Sequence, residues 1–134
     1  MILIRTTVDM ARAIDSPLDP FPKARLQVHA ERLAEYDDYP PEELALFVIV
    51  QPGDTLASLE QQTRLSFVQN GTLRFLPESL EREGDWLEAT MILSDDGFGL
   101  VLLVRPEAVT DPELSSLIEM LEREGTQAEQ GEGL

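Results

Sequence analysis

The chain has no cysteine, one histidine (His29), one tryptophan (Trp86) and one lysine (Lys23). The missing thiols exclude disulfides, thiolate metal sites and cysteine nucleophiles together, and they fit a reducing compartment. A lone histidine cannot supply a histidine-rich metal cluster. No serine stands in a G-x-S-x-G elbow and no glycine loop has phosphate-binding spacing, so nucleophilic and nucleotide chemistry have little foothold. The longest apolar runs, LALFVIV (residues 44–50) and LVLLV (residues 100–104), are far too short to span a bilayer. The first fifteen residues, MILIRTTVDMARAID, lack the apolar core and small-residue cleavage site of a secretory signal. The expectation is a soluble cytoplasmic protein.

Basic charge is also scarce. Ten Lys and Arg stand against 26 Asp and Glu, a net charge of −16 over 134 residues. Residues 1–29 carry four basic and three acidic groups, so the acidity belongs to the remainder of the chain. Such a field repels nucleic-acid phosphate and anionic lipid and attracts a basic protein. Arginine outnumbers lysine nine to one, as in chains encoded by GC-rich genomes.

A 43% hydrophobic fraction is ordinary for a globular chain of one domain. SPLDPFP (residues 16–22) is a rigid boundary after a short strand at Ile2–Ile4 and a turn of helix. Leu26, Ala30 and Leu33 recur with helical spacing, which predicts a helix over 22–36. DDYPPEE breaks it, and the apolar run ending at Val50 reads as a strand covered on both faces. Asp54 then stands as the N-cap of a short helix to about Gln62. Asn70-Gly71 marks a tight hairpin, and Pro77–Glu83 reads as one helical turn terminated by Gly84. Trp86–Leu93 and Leu100–Val104 form a second hairpin about SDDGFG, with Leu100–Val104 at the sheet centre. Thr110, Asp111 and Pro112 open a last helix, Glu113 completes a capping box with Thr110, and Gly125 ends it.

These elements predict a single α+β domain over residues 1–125, with residues 126–134 as a flexible acidic tail. Its sheet is mainly antiparallel with three to five strands, and the helices at 22–36 and 111–124 pack on one face. The expected core is Leu46, Val48, Val50, Met91, Leu93, Val101, Leu103, Leu117 and Leu121.

One stretch resembles a known module. Val50, Gly53, Asp54, Thr55, Leu56 and Leu59 are similar to the opening of the LysM family, V-x-x-GDTL-x-x-I. The resemblance covers about fourteen residues and implies binding of N-acetylglucosamine-containing glycans through loops beside a βααβ core. Where that family has a second helix, this chain has the Asn70-Gly71 hairpin signal, and Glu60 replaces the usual alanine. The residues alone describe a strand, a glycine turn and a capped helix.

Function therefore turns on charge. The profile is that of a small, non-enzymatic accessory or regulatory protein of bacteria that binds a basic protein partner. Candidate contact residues are Asp37, Asp38, Glu42 and Glu43 in the break before the central strand, and Asp95, Asp96 and Phe98 around the second hairpin. Asp95-Asp96 lacks the alternating spacing of a calcium loop, so no metal or other cofactor is expected. A DNA-mimicking or anti-restriction inhibitor is the stricter version of the same idea. An enzyme using His29 or an acid pair, and a LysM-like glycan-binding module, are the remaining alternatives.

Overall fold

The computed structural model describes the backbone of residues 1–4, 7–34, 45–93 and 99–132, and the side chains of residues 1–4, 8–28, 46–93 and 99–125. Among the described residues, seven strands and four α-helices follow in order: β1 (Ile2–Ile4), α1 (Thr7–Asp15), α2 (Pro20–Ala34), β2 (Ala45–Ile49), α3 (Leu56–Thr63), β3 (Val68–Gln69), β4 (Thr72–Leu73), β5 (Pro77–Glu83), β6 (Trp86–Ile92), β7 (Gly99–Val104) and α4 (Pro112–Glu132). The main sheet has the order β1-β2-β7-β6-β5, and β3 and β4 form a separate two-stranded ribbon. The fold is α+β with a mixed sheet. The β1–β2, β7–β6 and β6–β5 pairs are antiparallel, but β2 and β7 run parallel, with Ala45 opposite Gly99 and Ile49 opposite Leu103.

Side chains alternate across a strand, and here both sides are apolar. Leu46, Val48, Leu87, Ala89, Met91, Leu100, Leu102 and Val104 enter one core with α3, α4 and Phe67. Phe47, Ile49, Val101, Leu103 and Trp86 enter a second core with Ile4, Met10, Ala13 and Leu26 from the β1, α1 and α2 layer. The expectation that both main helices share one face is thus corrected: α2 and α4 cover opposite faces. A sheet whose central strands are apolar on both sides needs cover on both. Eight of the nine expected core residues are buried, while Leu93 is half-buried at the margin.

Three local expectations are also corrected. Pro77–Glu83 is a strand, because pairing along Trp86–Ile92 outweighs the weak helical preference of PESLERE. Gly84 serves a hairpin: Glu83 pairs with Trp86, and Gly84 takes φ +59° at the first central position, as a type II′ loop requires. The N-cap of α3 is Thr55 rather than Asp54. Thr55 Oγ1 accepts the Ser58 N–H (3.0 Å), and Ser58 Oγ accepts the Thr55 N–H (3.1 Å). Asp54 instead accepts the Gln51 N–H (2.7 Å), closing a turn with Pro52 and Gly53 at its centre. The Asn70-Gly71 hairpin is as expected, with both central residues at positive φ (54° and 78°).

Helix α4 opens on Asp111, whose Oδ2 accepts the Leu114 N–H (3.0 Å), so Asp111 and not a Thr110–Glu113 box is the cap. The same oxygen accepts the Leu56 N–H at the start of α3 (3.0 Å), joining two helix N-termini through one carboxylate. Helix α4 then runs past Gly125 to Glu132. Gly125 is where the helix crosses β5. A Cβ there would lie 2.6 Å from Leu80 Cγ and closer still to Leu80 Cδ1. Gly125→Ala is therefore expected to destabilise the fold by about 1 kcal/mol, overpacking outweighing the gain in helix propensity. In a Leu80→Ala background the same change should stabilise by up to about 1 kcal/mol. Denaturant unfolding of the four proteins checks the change of sign.

Candidate interaction surface

All seven candidate contact residues, Asp37, Asp38, Glu42, Glu43, Asp95, Asp96 and Phe98, lie outside the described residues. So does the expected turn about Asp96-Gly97. The strands they lead into are described. Glu43 is two residues before Ala45 and Phe98 one before Gly99, and Ala45 and Gly99 are opposite each other in the parallel pair. The parallel register thus puts the starts of β2 and β7 at the same end of the sheet, which sequence order alone does not reveal.

The described surface adds an acidic region on β5, a strand where the sequence pattern predicts a helical turn. Strand β5 forms one edge of the sheet, and Glu78, Glu81, Glu83 and, in the hairpin loop, Asp85 are exposed along it. Several arginines are bound within the fold. Arg25 lies over the Phe21 ring (5.1 Å), pairs with Glu81, and places Nε 3.6 Å from Glu88 Oε2. Glu81 and Glu88 are directly opposite across β5 and β6, and Glu88 is only 7% exposed. Two like charges so placed repel, and Arg25 sits between them as their counter-ion. Arg82 pairs with Glu107 and, at 3.5 Å, with Glu122, tying the edge strand to α4. Arg105 lies over Trp86 (5.4 Å) and 3.7 Å from Asp19. Each of these three guanidinium groups is thus engaged by a carboxylate of the same chain.

The Glu107 carboxyl is held below its ordinary value of 4.5, chiefly by a hydrogen bond from its own backbone N–H, with Arg82 acting in the same direction. A depressed folded value means the contact contributes fully above the ordinary value and is lost as pH falls through the folded one. The Glu107 side-chain resonance is expected to titrate below 4.5. Arg82→Ala should move that midpoint only part of the way back, because the backbone is the larger cause.

A cleft of about 90 Å³ lies at the carboxyl ends of β2 and β7, among Leu18, Asp19, Ile49, Gln51, Trp86 and Arg105. Among the described residues it brings together one carboxylate and one guanidinium; the His29 side chain lies outside the described residues. Among the described residues no group of three His, Asp or Glu has metal-binding geometry, and no helix is long and apolar enough to cross a membrane.

The stretch resembling a LysM opening forms the end of β2, the Pro52-Gly53 turn and α3. The β3–β4 ribbon then follows where that family has its second helix. Glu60 accepts the Phe67 N–H (2.9 Å) and so directs the chain from α3 into that ribbon. No family model, curated protein or solved structure matches the chain.

Proposed function

We propose that the chain is a non-enzymatic accessory or regulatory protein that acts by binding a basic protein partner inside the cell. The observation that carries this reading is the arrangement of charge. A net −16 is combined with arginines engaged in internal pairs and a sheet edge lined by exposed carboxylates. Electrostatic attraction of this kind raises association rates and is weakened by salt, because exposed charges are screened beyond about 10 Å at 0.1 M ionic strength. The same field disfavours direct contact with nucleic acid or an anionic membrane.

Affinity capture from a lysate of the source cells tests the reading at low and high salt. A basic protein should be retained at low salt and released at high salt. Recovery of nothing under either condition, or only of acidic or salt-indifferent proteins, would count against it.

A further inference from the structure

Building on the acidic-receptor reading, we infer that the outer edge of β5 accepts an extended basic segment of the partner as an added strand. The sheet has two edges. The β1 edge is three residues long, whereas β5 spans seven. Among the described residues no strand lies beyond β5, and no backbone hydrogen bond joins its outer side to another element.

The hairpin fixes which backbone groups face outward. Glu83 and Trp86 close a two-residue loop and so exchange hydrogen bonds, and such pairs alternate along an antiparallel ladder. Glu81 and Ser79 therefore bond inward to Glu88 and Thr90, and Leu80 and Arg82 direct their N–H and C=O groups away from the sheet. A register shift between Pro77 and Ser79 ends the regular ladder. The docking edge is thus Ser79–Glu83.

Charge selects the occupant. Residues 77–85 hold Glu78, Glu81, Glu83 and Asp85 against Arg82, and Arg82 is itself engaged by Glu107 and Glu122. A second copy of β5 laid on this edge would set carboxylates against carboxylates, which is destabilising. A strand bearing Lys or Arg reverses that sign. Beyond Pro77, Leu76 is 64% exposed, and Ile92 on the neighbouring strand is 43% exposed. They offer apolar contact to one end of the incoming segment. Strand addition draws affinity from main-chain hydrogen bonds and specificity from side chains.

The test uses the whole protein and a blocked octapeptide alternating Lys and Val, compared with the same peptide N-methylated at alternate residues. Amide exchange is followed by NMR. The unmethylated peptide should bind in low salt and slow exchange at Leu80 and Arg82, while Ser79, Glu81 and Glu83 are already protected without it. Arg82→Pro removes one outward N–H, and Arg82→Ala removes the same ion pairs but keeps the N–H. The proline variant should bind about tenfold more weakly than the alanine variant, the loss of roughly one hydrogen bond. Unchanged protection at Glu81 and Glu83 shows that both variants keep the hairpin. Equal, salt-sensitive binding of both peptides without protection at Leu80 and Arg82 would overturn the edge inference and leave the acidic-receptor reading standing. Binding of neither peptide at any salt concentration would remove both.

Discussion

Replacing Asp111 with alanine is expected to lower the unfolding free energy by about 3 kcal/mol, far more than an ordinary helix cap. The reason is the double use of one oxygen. Loss of the bond to Leu114 N–H removes the cap of α4, worth about 1 kcal/mol. The bond to Leu56 N–H is lost in the same step, leaving a part-buried donor at the start of α3 unsatisfied, at a further cost of about 1–3 kcal/mol. Leu56, Leu59, Leu114 and Leu117 belong to one core, so loosening either helix start loosens the other. Asp111→Asn keeps an acceptor oxygen and should cost less than about 1 kcal/mol. Thr110→Ala should be close to neutral. Denaturant unfolding separates these cases. An Asp111→Ala loss no larger than about 1 kcal/mol would mean that the two helices are not coupled through this residue.

The second large effect is expected at Arg25. Arg25→Ala leaves Glu81 and buried Glu88 facing each other across the β5–β6 ladder, and should destabilise by about 3 kcal/mol. Part of that loss is packing, because the arginine stem and guanidinium lie against Phe21. Arg25→Met keeps most of the stem and isolates the charge. Adding Glu88→Gln to either variant removes one of the opposed carboxylates and should restore about half of the loss. A loss below about 1 kcal/mol, or no rescue by Glu88→Gln, would show that Arg25 is not the counter-ion that lets Glu88 occupy the sheet.

The parts of the fold legible in the sequence were those where the side-chain pattern matched the local structure. The apolar runs Leu44–Val50 and Leu100–Val104 read as buried strands, and Asn70-Gly71 reads as a tight turn. The PESLERE stretch was misread because its single apolar residue, Leu80, gives no period, and its partner strand lies across a turn. The signal that would have found it was Gly84-Asp85, a hairpin dipeptide immediately before the clear strand at Trp86. Glycine commonly ends a helix, but the role of Gly125 is set by Leu80, 45 residues earlier in the chain. The placement of α2 and α4 on opposite faces followed from the same continuous apolar runs that predicted the strands. What they require is cover on both sides.

The candidate surface was legible only as charge. Composition supplies the sign of the proposed partner, and acids cluster around positions 37–43 and 95–96. That β2 and β7 begin at the same end of the sheet depends on their parallel register, which no local pattern encodes. The β5 edge was hidden by the helical reading of its sequence. Arg25, Arg82 and Arg105 pair with partners distant in sequence, so their ion pairs emerge only from the fold.

The most direct measurement of the central claim is the association rate between the chain and its captured basic partner as a function of ionic strength. It is compared with a variant in which Glu78, Glu81 and Glu83 are replaced by glutamine. The wild-type rate should fall steeply as salt rises, and the variant should associate more slowly at low salt, the two converging when charges are screened. A rate indifferent to salt, or identical in the two proteins at low salt, would contradict the account.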